Sequence, residues 1–213
     1  MMDPAEKFLS AEDRKAIESH IGEAEKRTSG EVVVMAVASS YHYPLAAVLG
    51  ALLLSLIIAI AIAIARGEEQ MWFFLAAFAI TFIFLHELTS RLPVLKRLFV
   101  RASDMREEVD EAALSAFYHR NITSTREHTG VLFYISLFER QVRVVADKGI
   151  RSKVDPALWQ GLADAIITGI KSGRQREAIA SAVDRCGDIL AGHFPPVPGH
   201  RNELPNAVII GRQ

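Results

Sequence analysis

Hydrophobic and polar positions along this chain fall into three regimes, and the middle one dominates. Pro44 to Ala65 carries no charged residue, and Met71 to Leu85 is equally apolar, reaching Leu88 if His86 and Glu87 sit at an interface. As helices these stretches span roughly 33 Å and roughly 22–27 Å, which brackets the hydrocarbon core of a bilayer. Only Arg66-Gly67-Glu68-Glu69-Gln70 separates them, so they are expected to form a tight antiparallel hairpin. A buried helical hairpin in a soluble core is the alternative, and one soluble domain has little room for two helices that are apolar all round. A signal peptide does not fit the first stretch, which follows a charged, patterned segment rather than a basic start.

The flanks show shorter periods. Ser10 with Asp13 makes an approximate capping box, and Ile17, Ile21 and Ala24 form a helical stripe ending near Thr28-Ser29-Gly30. Val32 to Ala38 is apolar on both faces, as an interior strand covered by helices must be. Beyond the hairpin, Ser103 caps a helix carrying Met105, Val109, Ala112, Ala113, Ala116 and Phe117. Val131 to Phe138 reads as a second buried strand, and Gln141 to Ala146 alternates like a strand near a sheet edge. Asp155-Pro156 starts a helix with Trp159, Leu162, Ala163, Ile166, Ile167 and Ile170 on one face, ended by Gly173. A last helix carries Ala178, Ile179, Ala182, Val183, Cys186, Ile189 and Leu190. Phe194 to Pro205 is a proline-rich linker, and Ala207 to Ile210 offers a short edge strand.

One helix and one strand cannot build a core, so the segment before the hairpin must complete itself with the chain after it. The expected organisation is 1–43 as the first part of a soluble α/β domain and 44–88 as the transmembrane hairpin. A basic amphipathic juxtamembrane segment (89–102), the second part of the domain (103–194) and a tail (195–213) follow. The expected fold is a three-layer αβα sandwich whose first two strands are parallel, with ligands favoured beyond their carboxyl ends, at Ser39, Ser40, Tyr41 and the Glu139-Arg140 turn.

Charge narrows the setting. A net charge of -1 removes any general attraction for nucleic acid. The lone Cys186, within an apolar helical stripe, excludes an internal disulfide and a cysteine-based zinc site. Arg91, Lys96, Arg97 and Arg101 follow the second span with no acid between Arg91 and Arg101. They are expected to contact the membrane surface and to keep both termini and the soluble domain on the cytoplasmic side of an inner membrane. Pro93 to Ala102 reads either as a short helix on the inner leaflet, with Leu95, Leu98 and Phe99 opposed to the basic residues, or equally as a plain stop-transfer flank. Gly50, Ala51, Ser55, Ala59 and Ala63 recur along the first span and point to helix packing or homo-oligomerisation.

Several segments resemble TPM domains. Thr28-Ser29-Gly30-Glu31-Val32-Val33-Val34 resembles the start of their first strand, and Thr129-Gly130-Val131-Leu132 with Glu139-Arg140-Gln141-Val142-Arg143-Val144 resembles their second and third strands. Ala146-Asp147-Lys148-Gly149-Ile150 resembles the loop that follows. The nearest pattern is that of bacterial membrane proteins in which a two-helix hairpin interrupts the domain. The resemblance implies an αβα sandwich. Some members act in photosystem II repair, some bind divalent cations, and phosphatase activity is claimed for a plant member. Where many members read Asp-Arg, this chain has Glu139-Arg140, and Arg151 stands where they often carry an acid.

No nucleophile motif, phosphate-cradling loop or metal-ligand spacing appears. Asp147 is the best single candidate for a calcium or magnesium ligand, against the commoner role of a solvated turn residue. Glu31 and Glu139 are weaker candidates, as strand-end acids that are commonly just exposed. Arg126 with His128, and Arg140 with Arg143, are candidate anion sites, with salt-bridged surface as the default. The reading that results is a non-catalytic interaction module at the membrane surface, partnered by lipid and other membrane proteins in their assembly or maintenance. The alternative is a divalent-metal-dependent phosphatase.

Overall fold

The computed structural model describes residues 3–67, 70–196 and 202–211. Glu68 and Glu69 of the connection between the apolar stretches and residues 197–201 of the linker lie outside them. The chain divides into two units, Tyr41–Met105 and the combination of Met1–Ser40 with Arg106–Gln213.

The second of these holds the sheet. Helix α1 (Pro4–Phe8) is capped by Asp3, and α2 (Ala11–Glu25) starts with a complete capping box between Ser10 and Asp13. Strand β1 (Glu31–Val37) follows. After the inserted segment come α6 (Ala102–His119), a single 3-10 turn at Ile122–Ser124, β2 (Gly130–Ser136), β3 (Gln141–Ala146) and the four-residue α7 (Lys148–Arg151). Helices α8 (Pro156–Lys171) and α9 (Gln175–His193) and the two-residue β4 (Ile209–Ile210) complete it. The sequence pattern missed α1 and α7, which are too short to show a helical stripe.

The sheet order is β3-β2-β1-β4. β1 and β2 run parallel from Glu31↔Gly130 to Val37↔Ser136, and β3 returns antiparallel from Ser136↔Gln141 to Val131↔Ala146. Every residue of β1 and β2 is buried, which is why both read as unbroken apolar runs. One face (Val32, Val34, Ala36, Phe133, Ile135) packs on α2, α8 and α9 through Ile17, Ile21, Leu162, Ile166, Val183 and Cys186. The opposite face (Val33, Met35, Leu132, Tyr134) packs on α6 through Val109, Ala113 and Phe117. The fold is therefore a mixed α/β sandwich with unequal layers. β3 pairs on one side only, and its alternation reflects that edge position.

In the other unit, α3 (Pro44–Arg66) and α4 (Met71–Arg91) pack as a pair, followed by α5 (Pro93–Arg97). Both long helices have the length and apolarity to cross a membrane. Ala47, Ala51, Ser55 and Ala59, four residues apart, form the buried face of α3, and Thr89 of α4 donates to the Ala47 carbonyl. A Cβ at Gly50 would lie 2.5 Å from the Phe99 ring, so the close approach requires glycine there. Gly50, Ala51, Ser55 and Ala59 of the small-residue stripe are thus buried in helix packing within this unit. The helix expected over Pro93 to Ala102 stops at Arg97. Leu98, Phe99 and Val100 then donate to the carbonyls three residues back, which tightens the chain into turns.

Candidate functional site

The α/β unit has polar groups at both ends of its sheet. At the carboxyl ends of β1 and β2, Glu139 is 1% exposed. Ser39 Oγ donates to its Oε1 at 3.1 Å, the Ser40 amide donates to the same oxygen at 3.1 Å, and Ser136 Oγ donates to Oε2. Ser40 Oγ in turn donates to Ser136 Oγ at 3.0 Å and lies 3.3 Å from the Tyr134 hydroxyl. The β2–β3 turn that presents Glu139 closes with Arg140 in the left-handed region at φ 55°. Three donors around one buried carboxylate tie the end of β1 to that turn. Glu139 is a structural clamp on this geometry, and the expectation of an exposed strand-end acid is corrected: hydroxyls about a hundred residues earlier in the chain supply the polar surroundings that let it be buried.

At the opposite end, Glu31 is also 1% exposed. It accepts from the amides of Glu203 at 3.0 Å and Leu204 at 3.3 Å, so it too is buried rather than solvated. Asp147 is the N-cap of α7, accepting from the Lys148 amide at 2.6 Å, and its other oxygen is 3.3 Å from His128 Nδ1. The turn is tight, because a Cβ on Gly149 would sit 2.6 Å from the carbonyl oxygens of Glu127 and His128. Asp147 is 6% exposed, a buried cap in place of the expected solvated turn. Glu31 and Asp147 therefore lie at one end of the sheet and Glu139 at the other. Among the described residues no three His, Cys, Asp or Glu side chains gather as a metal ligand set.

Two acids that the sequence reading passed over complete this end. Glu18 accepts from the Val208 amide at 3.0 Å. Glu25 accepts from the Val32 amide at 3.0 Å, and its buried Oε2 lies close to the Asn206 side chain without a well-formed hydrogen bond. Burial, with the Glu31 carboxylate adding to it, raises Glu25 to about 7 against the opposing Val32 amide. Glu18 and Glu31 hold the segment 203–208 against the sheet. The sequence signal was faint, an acid at the rim of an apolar stripe.

The remaining candidates resolve into pairs. Arg126 bridges Glu203, His128 faces Asp147, and Arg143 bridges Asp110 at 3.0 Å, the salt-bridged surface expected by default, while Arg140 is exposed. Arg91 is paired with Glu87 one turn earlier on α4. Lys96 donates to the His42 carbonyl, and burial lowers its pKa, so it is not wholly free for lipid. Arg101 is exposed. Cys186 is buried, and burial pushes its thiol up, away from reactivity.

Comparison with known proteins agrees with this architecture. The chain superposes on the NMR structure of BA42 protein from the psychrophilic bacterium Bizionia argentinensis with a TM-score of 0.61 and 22% identity, over 96% of each chain. That likeness concerns the fold. No curated protein matches the chain. The TPM domain family matches residues 97–189, from the end of α5 through most of α9. Over those residues the chain carries a TPM domain.

Proposed function

We propose that this chain is an integral membrane protein that presents its TPM domain at the bilayer surface as a non-catalytic interaction module, serving the assembly or maintenance of other membrane proteins. One observation carries the membrane half of this reading. The outer faces of α3 and α4 (Leu49, Leu53, Ile57, Ile64, Ile80, Ile83 and Phe84 among them) are exposed apolar surface of a size that water does not tolerate. The basic run Arg91, Lys96, Arg97, Arg101 supports a cytoplasmic location for both termini. The engagement of Glu31, Glu139 and Asp147 by the chain's own donors supports binding over catalysis.

Cysteine labelling tests the topology. Because Cys186 is buried, Gln70→Cys and Arg126→Cys would each provide one reactive thiol. A membrane-impermeant maleimide applied to spheroplasts should label Gln70→Cys, and Arg126→Cys only after lysis; the opposite pattern inverts the topology. Turnover of p-nitrophenyl phosphate with calcium or magnesium, lost in Asp147→Ala, would replace the interaction module by a metal-dependent phosphatase.

A further inference from the structure

The free edge of β3 lies at the bottom of a groove. Val142, Arg143, Val144, Val145 and Ala146 line it consecutively, with Asp110 and Leu114 of α6 on one side and Trp159 and Gln160 of α8 on the other, around a cavity of about 320 Å³. Consecutive strand residues share one cavity only where the backbone edge itself is the lining, since their side chains point to alternate faces.

The register tells which backbone groups face it. Asp147 donates to the Gly130 carbonyl, and hydrogen-bonded pairs alternate along an antiparallel ladder. Residues 141, 143, 145 and 147 therefore bond β2, while Val142, Val144 and Ala146 turn their N–H and C=O groups toward the groove. Their side chains lie on the α8 face, in the core layer that holds Trp159. Arg143 lies on the α6 face, bridged to Asp110, and both are about half exposed. Arg151 also lines the groove and makes no ion pair among the described residues. The indole Nε1 of Trp159 is a buried donor without a partner among them.

We infer that the β3 edge is a docking groove for an extended peptide strand of a partner protein, alternating acidic and apolar side chains. The inference rests on the interaction-module reading and names its partner class. Strand addition would satisfy the three outward N–H and C=O pairs over about five residues, or about 17 Å. The apolar side chains of such a strand would meet Trp159, and its acids would meet Arg151, the cation of the groove whose charge the Arg143–Asp110 pair leaves uncompensated. A second copy of this chain pairing through the same edge is the competing occupant, and the self-association arm of the test reports it.

The test uses the full chain in detergent with Trp72→Phe, so that Trp159 is the sole tryptophan. Its fluorescence is titrated with an octapeptide of alternating glutamate and valine, and with the lysine–valine counterpart. Saturable binding at least about tenfold tighter for the acidic peptide is expected. N-methylating one alternate set of peptide amides should abolish it, and methylating the other set should leave it intact. Val144→Pro, which removes an outward N–H with no partner among the described residues, should weaken binding by about tenfold or more. No saturable change up to about 1 mM, equal binding of the two peptides, or equal effects of the two methylations would overturn the inference. Self-association abolished by Val144→Pro would overturn it in favour of a second copy. The two readings fail separately: metal-dependent turnover removes the non-catalytic module without touching peptide binding. An empty groove, in a protein still cross-linked to membrane partners, removes only the groove.

Discussion

Replacing Glu25 by glutamine should make the α/β unit gain stability on the parent as pH rises from acid to alkaline. Its carboxyl is raised from an ordinary 4.5 to about 7, first by burial and then by Glu31. Below pH 4.5 the group is protonated in both folded and unfolded chains and contributes no difference. Between 4.5 and 7 the unfolded chain gives up its proton while the folded chain keeps it, so stability falls as pH rises. Above 7 both are ionised and the loss is complete. At full ionisation the raised value corresponds to about 3 kcal/mol, and partial solvent contact of the side chain reduces the expectation to about 2 kcal/mol. Glutamine keeps the carbonyl that accepts the Val32 amide, although its own NH₂ must find a place at the Oε2 position, close to the Asn206 side chain. That constant cost cancels when the two proteins are compared across pH. Urea unfolding in detergent at pH 4.5 and pH 8, followed by Trp159 in a Trp72→Phe background, measures the difference. Glu25→Gln should gain about 2 kcal/mol on the parent between those values. Parallel pH profiles would show that Glu25 ionises in the folded protein as it does in the open chain, and would refute the burial argument.

Glu139→Ala strips three donors of their acceptor in a buried setting and should cost about 2–4 kcal/mol in urea unfolding, with Glu139→Gln recovering part of it. Gly149→Ala drives a methyl to within 2.6 Å of two carbonyl oxygens and should cost about 1–3 kcal/mol, read as a lower melting temperature. Asp147→Ala removes the cap of α7 at about 1 kcal/mol, while calcium or magnesium calorimetry should give the same flat heats before and after the change. Saturable heat lost in that variant would place a cation at Asp147. Ala51→Leu pushes a branched side chain into the α3–α4 seam and should weaken hairpin pairing by about 1–3 kcal/mol, followed by disulfide cross-linking of cysteine pairs across the seam in bilayers.

What could be read from the sequence was what each segment settles locally. β1 and β2 announced themselves because burial on both faces leaves no polar alternation. β3 was legible because its exposed Arg143 interrupts an apolar run. Helix α8 was marked by the Asp155-Pro156 start, yet the same pair at Asp3-Pro4 opens α1, where five residues are too few for a periodic stripe to confirm it. The buried acids were misjudged for a different reason. Whether Glu139 is solvated or clamped depends on Ser39 and Ser40, and whether Glu31 is depends on the amides of Glu203 and Leu204. Those partners lie about a hundred and more residues away, so no local pattern contains them.

The family match begins at the end of α5, after the two long helices of the inserted segment. In a parallel β1–β2 pair the chain must leave the carboxyl end of β1 and return to the amino end of β2, and α6 is the returning helix of that crossover. The hairpin enters between β1 and α6, a connection whose length costs little to extend because closure entropy grows only logarithmically. It therefore leaves the sheet register intact while placing more than sixty residues between β1 and the rest of the sheet in sequence. A match over residues 97–189 takes in α6, β2, β3, α8 and most of α9, and leaves out α2, β1 and β4. Yet β2 without β1 would expose the edge that seven paired residues now cover. The folding unit is therefore larger than the matched stretch. A polypeptide limited to residues 97–189 should expose an apolar strand edge and aggregate, where the full chain in detergent stays dispersed.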